Sequence, residues 1–112
     1  MGTSKMAYFI GKTASDKKAR DIKILNVKGL SEIADYFVIC SGTSTIQVKA
    51  IADEIEEKMS ENGYEINHKE GYNAGKWILL DYGEVIAHIF YEEDREFYDL
   101  ERLWIDAEAI NI

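Results

Sequence analysis

Apolar residues along this chain follow two rhythms. Met6, Phe9, Ile10 and Ala14 recur at helical spacing and predict a short amphipathic helix over roughly Ser4 to Lys18. Val48, Ile51, Ala52, Ile55 and Met59 form a longer stripe of the same period, with Asp53, Glu54, Glu56, Glu57 and Glu61 on the other faces. Ser44 followed by Gln47 is a capping-box pattern that starts this second helix, and Asn62-Gly63 ends it with a glycine suited to a left-handed cap. Runs rich in β-branched residues fall between: Asp21 to Val27, Asp35 to Ser41, a looser alternation over Tyr64 to Glu70, and the long stretch Lys76 to Tyr91.

Lys76 to Tyr91 reads as a β-hairpin about one tight turn at Asp81 to Glu84, with Gly83 free to take positive φ. Trp77 to Leu80 is wholly apolar, as expected of a strand covered on both faces near the middle of a sheet. The first two strands are too close in sequence for a helical parallel crossover, so they are expected to pair antiparallel. Glu92-Glu93-Asp94 opens a last helix where the dipole favours acids, and Phe97, Leu100, Leu103 and Trp104 make its apolar stripe. The expected order is helix, strand, strand, helix, three strands, helix: one α+β domain built on a five-stranded mixed sheet covered by helices. The domain runs over 21–105, preceded by the helix of 1–20 and followed by a tail, 106–112.

With 112 residues the chain can bury one core. It has no proline, so no proline-rich linker, and no apolar run approaches the length of a membrane span. The single cysteine, Cys40, cannot form an internal disulfide and points to a reducing compartment. Met1 to Arg20 is basic and nearly free of acids, slightly like an organellar presequence; its scarcity of arginine and its direct entry into a strand favour a helix instead. The formal charge of −8 leaves room only for a local basic patch and favours a basic partner, such as a basic protein of a nucleoprotein particle.

Candidate chemistry is sparse. Gly42-Thr43-Ser44-Thr45, between a strand and a helix start, could hold phosphate, but it lacks the P-loop lysine and also reads as a capped turn. The carboxylate pairs that hold magnesium for nucleotidyl transfer are missing from the strands; Asp81 and Glu84 could approach each other but read more simply as solvated turn residues. His68 and His88 fall on different strands with no metal-ligand spacing, and His88 reads as a hydrogen-bonded, partly buried histidine. Cys40 reads as core. Trp77, Tyr82 and Tyr72 beside Glu70, Asp81 and Glu84 would form an aromatic patch ringed by acids, suited to a basic protein surface; a capped sheet end with no partner fits the pattern nearly as well.

The chain resembles the ribosomal silencing factor, or Iojap-like, family from about Asp21 to Trp104. The resemblance is carried by Gly29-Leu30-Ser31, Ala34 to Ile39, Gly42-Thr43-Ser44, Ile51-Ala52-Asp53, Glu70-Gly71, Trp77 to Val85, His88-Ile89-Phe90 and Arg95 to Trp104. It implies a nucleotidyltransferase-like sheet without nucleotidyl transfer, no cofactor and a cytoplasmic location. It also implies binding to the fourteenth protein of the large ribosomal subunit, where the factor would block the small subunit and repress translation when nutrients are scarce. By the family's pattern Trp77, Asp81, Tyr82, Gly83 and Glu84 match the contact region, with Glu70 beside them. Two other readings stay open: a nucleotidyltransferase-type enzyme using Gly42 to Ser44, and an adaptor that forms a homodimer through a strand edge at Tyr64 to Glu70.

Overall fold

The computed structural model describes residues 1–98 and 108–111. The elements follow in the order α1 (Thr3–Asp16), β1 (Arg20–Asn26), β2 (Tyr36–Gly42), α2 (Thr45–Glu61), β3 (His68–Glu70), β4 (Trp77–Asp81), β5 (Val85–Tyr91), α3 (Glu92–Tyr98) and β6 (Glu108–Asn111). All five expected strands form a mixed sheet, and β6 extends it to six in the order β3-β4-β5-β2-β1-β6. Residues 108–111 are therefore an edge strand, antiparallel to β1, where a tail was expected. Backbone pairing beside β1 decides this, and a four-residue segment carries little periodic signal of its own.

β1 and β2 pair antiparallel, as their short connection requires. β2 is fully buried and pairs in parallel with β5, Tyr36 opposite Val85 through Gly42 opposite Tyr91. The chain meets this parallel pairing by a detour: α2 carries it to the far edge, and β3, β4 and β5 return antiparallel toward the centre. The third strand is shorter than expected. Only His68–Glu70 pairs, at the edge, while Tyr64 and Ile66 pack against the core beneath the helices.

Alternation along the strands divides the apolar residues between two faces. Val38, Cys40, Ile78, Leu80, Ala87 and Ile89 meet Ile10 and Ala14 of α1 and Val48, Ile51, Ile55 and Met59 of α2. Leu25, Val27, Phe37, Ile39, Ile86 and Phe90 form the second cluster, on which Trp77 and Leu79 lie half-buried. β4 is thus not closed on both faces: Ile78 and Leu80 are buried, whereas Trp77 and Leu79 keep access to solvent.

α2 begins with the expected serine cap: Ser44 Oγ accepts from Gln47 N at 3.1 Å, while Gln47 Oε1 reaches one residue further back than a capping box does and accepts from Thr43 N at 2.6 Å. It ends at Asn62, with Gly63 at φ +86° and its N–H donating to Ser60 O. The expected stripe of the last helix, Phe97, Leu100, Leu103 and Trp104, lies outside the described side chains.

Candidate functional site

The hairpin turn sets the register of β4 on β5, opposing Asp81 to Ile86, Leu79 to His88 and Trp77 to Phe90. Trp77 and His88 are then diagonal neighbours on one sheet face. Trp77 Nε1 donates to His88 Nδ1 at 3.1 Å. Indole N–H is only a donor, so Nδ1 must be the unprotonated nitrogen and the imidazole proton sits on Nε2. That Nε2 is buried and has no hydrogen-bond partner among the described residues. Phe37 meets the imidazole edge-on at 5.0 Å between centroids, and Phe90 lies 5.2 Å from the indole. Burial drives the imidazole pKa down to about 4, so at neutral pH His88 is an uncharged acceptor that holds the indole in place. The expected hydrogen-bonded histidine is found here, and its partner is the tryptophan of the expected contact region.

At the other end of β4, Asp81 Oδ1 accepts from Gly83 N at 2.7 Å, and Tyr82 N donates to Val85 O at 2.9 Å. Gly83 sits at φ +89°, the left-handed conformation this turn needs. Asp81 is therefore a turn-forming residue as well as a half-exposed carboxylate. Glu84 is fastened at both ends: its carbonyl accepts from Asp35 N and Tyr36 N, and its carboxylate accepts from the Thr3 hydroxyl at 2.7 Å. The first turn of α1 thus abuts the hairpin, a contact between residues far apart in sequence that no local pattern announces.

The expected aromatic patch does not assemble. Trp77 lies on the sheet face away from α1 and α2, whereas Tyr72 and Tyr82 pack on the helix side. Tyr82 is half-buried, and burial, reinforced by Glu56 and Glu65, raises its hydroxyl pKa well above the usual phenolic range. Tyr72 donates to Asp53 Oδ2 at 3.0 Å beneath the Lys69 ammonium, itself 3.1 Å from Glu56. Glu70 stands exposed on the β3 edge, 3.5 Å from His68 Nε2 and opposite Leu79. Gly71 follows at φ +79°, where a side chain would collide with Trp77 O at 2.0 Å. Glu70-Gly71 therefore turns the chain against the backbone of Trp77. Trp77, Glu70 and the turn 81–84 share the β4 neighbourhood, with the two ring systems on opposite faces.

The Gly42-Thr43-Ser44 loop has local structural uses for its residues. Thr43 N and Gln47 N are consumed by these capping bonds, and a side chain at Gly42 would meet Val48 N and Cγ2 at 3.0 Å. Glycine is needed there so that β2 can approach α2. Among the described residues no three histidine, cysteine or acidic side chains converge as a metal site would require.

Comparison with known proteins follows this geometry. The family described as ribosomal silencing factor during starvation matches residues 2–112. A ribosomal silencing factor of Halalkalibacterium halodurans is 41% identical over 112 residues, covering all of this chain and 96% of that protein. The mouse protein named mitochondrial assembly of ribosomal large subunit protein 1 is 36% identical over 93 residues, covering 79% of this chain and 40% of its own length. A crystal structure of a protein from Chromobacterium violaceum superimposes with a TM-score of 0.90 at 32% identity, spanning 93% of this chain and 87% of that one. Sequence over the whole length and fold over nearly all of it agree: the chain belongs to the ribosomal silencing factor family.

Proposed function

We propose that the protein is a non-enzymatic translational repressor that acts in the cytoplasm by occupying the large ribosomal subunit. Bound to a basic protein of that subunit, in the family's pattern the fourteenth, it excludes the small subunit sterically and lowers translation when nutrients are limiting. The observation that carries this reading is Trp77: a half-exposed indole held by a buried, uncharged histidine, at the start of a strand that ends in acidic Asp81 and leads into the turn that carries Glu84. A rigid aromatic at one end of a strand and carboxylates at the other suit a basic protein surface, where tryptophan contributes contact area at little entropic cost and acids select the partner. The name of the mouse relative, which refers to assembly of the ribosomal large subunit, supports the same particle.

The test is sedimentation of the protein with isolated large subunits, small subunits and joined ribosomes. Wild type is expected with large subunits alone and should reduce joining in proportion to occupancy. Trp77→Phe, which keeps a ring but removes the indole N–H, should bind at least tenfold more weakly, and Trp77→Ala by thirtyfold or so, about 2 kcal/mol, while both remain folded. Wild-type protein that associates with no particle, or equally with both subunits, would refute the reading.

A further inference from the structure

The function proposed above uses the hairpin and leaves α1 unexplained. Residues 1–20 hold five of the chain's 13 cations but only one of its 21 acids, Asp16. In a protein of charge −8 this is a sharp local reversal. Ala7, Ile10 and Ala14 turn one side of α1 into the core, and Met1, Lys5, Tyr8 and Lys12 run along the opposite side at steps of four, three and four residues. Tyr8 is 51% exposed although no packing of the fold requires it there. With Ser4 and Phe9 these residues line an open groove. Among the described residues Lys5 and Lys12 form no ion pair, in contrast to Arg20, which is 3.3 Å from Glu92. Seven residues of helix set the two ammonium stems about 10 Å apart along the axis, with the phenol ring between them.

We propose that this stripe is a second contact surface, and that its occupant is the phosphate backbone of RNA on the same large subunit; the placement rests on the function proposed above. Charge complementarity selects a polyanion: two unpaired ammonium groups flanking an exposed aromatic ring match phosphates and an adjoining sugar or base, with no sequence-reading geometry. The location is supported because Thr3, in the first turn of the same helix, is bonded to Glu84 of the hairpin turn, so the start of α1 is tied to the proposed contact region. The molecule thus carries acids at the hairpin turn and bases along the exposed side of α1. A ribosomal surface offers the same pair in reverse, basic protein bordered by RNA.

The experiment uses the whole chain with Lys5→Gln and Lys12→Gln combined, exposed changes that retain helix propensity. Affinity for large subunits is measured from low to moderate salt. The wild-type slope of log affinity against log salt should fall by about two in the double variant, with affinity down roughly tenfold near physiological salt. An unchanged slope would overturn the proposal. A second arm needs no ribosome: a short RNA duplex is titrated into labelled protein and amide shifts are followed by NMR. Shifts should cluster at residues 4–12 and vanish in the double variant. Shifts absent from α1, or stronger binding of α1 to anionic phospholipid vesicles than to the duplex, would overturn RNA as the occupant. Failure of wild type to bind large subunits, with the duplex arm positive, would instead reject the function proposed above.

Discussion

Trp77 and His88 form a pair in which each partner constrains the other. The imidazole needs the indole hydrogen to satisfy Nδ1, and the indole is oriented by that bond together with its ring contact to Phe90. Among the described residues the buried Nε2–H has no partner, an arrangement that costs about 1–3 kcal/mol and that an apolar residue would avoid. His88→Phe should therefore leave stability equal or higher while releasing the indole, read as an upfield move of the Trp77 Nε1–H resonance and weaker large-subunit binding. A large fall in melting temperature with no change at the indole would contradict this role. Gly71 belongs to the same unit. Alanine there must place a methyl group against Trp77 O in a backbone conformation that disfavours side chains, so Gly71→Ala should destabilise by about 1–3 kcal/mol in urea unfolding and disturb the indole. Residue types and spacing exposed Trp77, Asp81, Gly83 and His88 as unusual. The Trp77–His88 bond is not among the expectations; the hairpin register only sets 88 diagonally across from 77, and the structure shows the bond itself.

At the scale of elements, the strand-to-helix junction after β2 shows how one short motif can resemble a ligand site. A glycine followed by hydroxyl residues at a helix start suggests phosphate, yet the hydrogen bonds run to Gln47 and the glycine makes room for Val48. Ser44→Ala should cost about 1 kcal/mol through the lost cap. Gly42→Ala should cost as much or more, because β2 and α2 must separate, and neither change should be relieved by nucleotide and magnesium in thermal unfolding. Stabilisation of the wild type by nucleotide would instead revive an enzymatic use of the loop. The β3 edge is a similar case. Its three paired residues, His68, Lys69 and Glu70, are all exposed and polar, and so short and charged an edge disfavours strand pairing between copies.

Across the whole molecule, two buried groups report on the integrity of the fold. His88 has its pKa lowered to about 4 by burial, whereas the unfolded chain titrates near the ordinary value of 6.5. Between these values the unfolded state binds a proton that the native state does not. The contribution is fully present above about pH 6.5 and is lost progressively as pH falls toward 4, on the order of 3 kcal/mol in all. Subtracting the His88→Phe pH profile from that of wild type in urea unfolding should isolate this slope from the carboxylates; parallel profiles would count against it. Cys40, wholly buried in the fully buried β2, has its thiol pushed up to about 12. It should resist thiol reagents in the native state and react only on unfolding, at a rate set by global opening.

The sequence alone determined the elements whose patterns are local: α1 and α2 by their apolar stripes, the cap at Ser44, the hairpin with Gly83 at its turn, and the antiparallel pairing of β1 with β2. It also carried the family, because its motifs are spread over most of the chain. Tertiary structure decided what depends on distant partners. It placed β5 rather than β3 beside β2, recruited residues 108–111 as an edge strand and joined Thr3 to Glu84. It also set Trp77 and Tyr82 on opposite sides of the sheet. Hydrophobic period and capping chemistry act within a few residues and are written into neighbouring positions. Strand order, edge pairing and the composition of a surface arise only when segments compete for the same core and the same backbone partners, a competition no single stretch encodes.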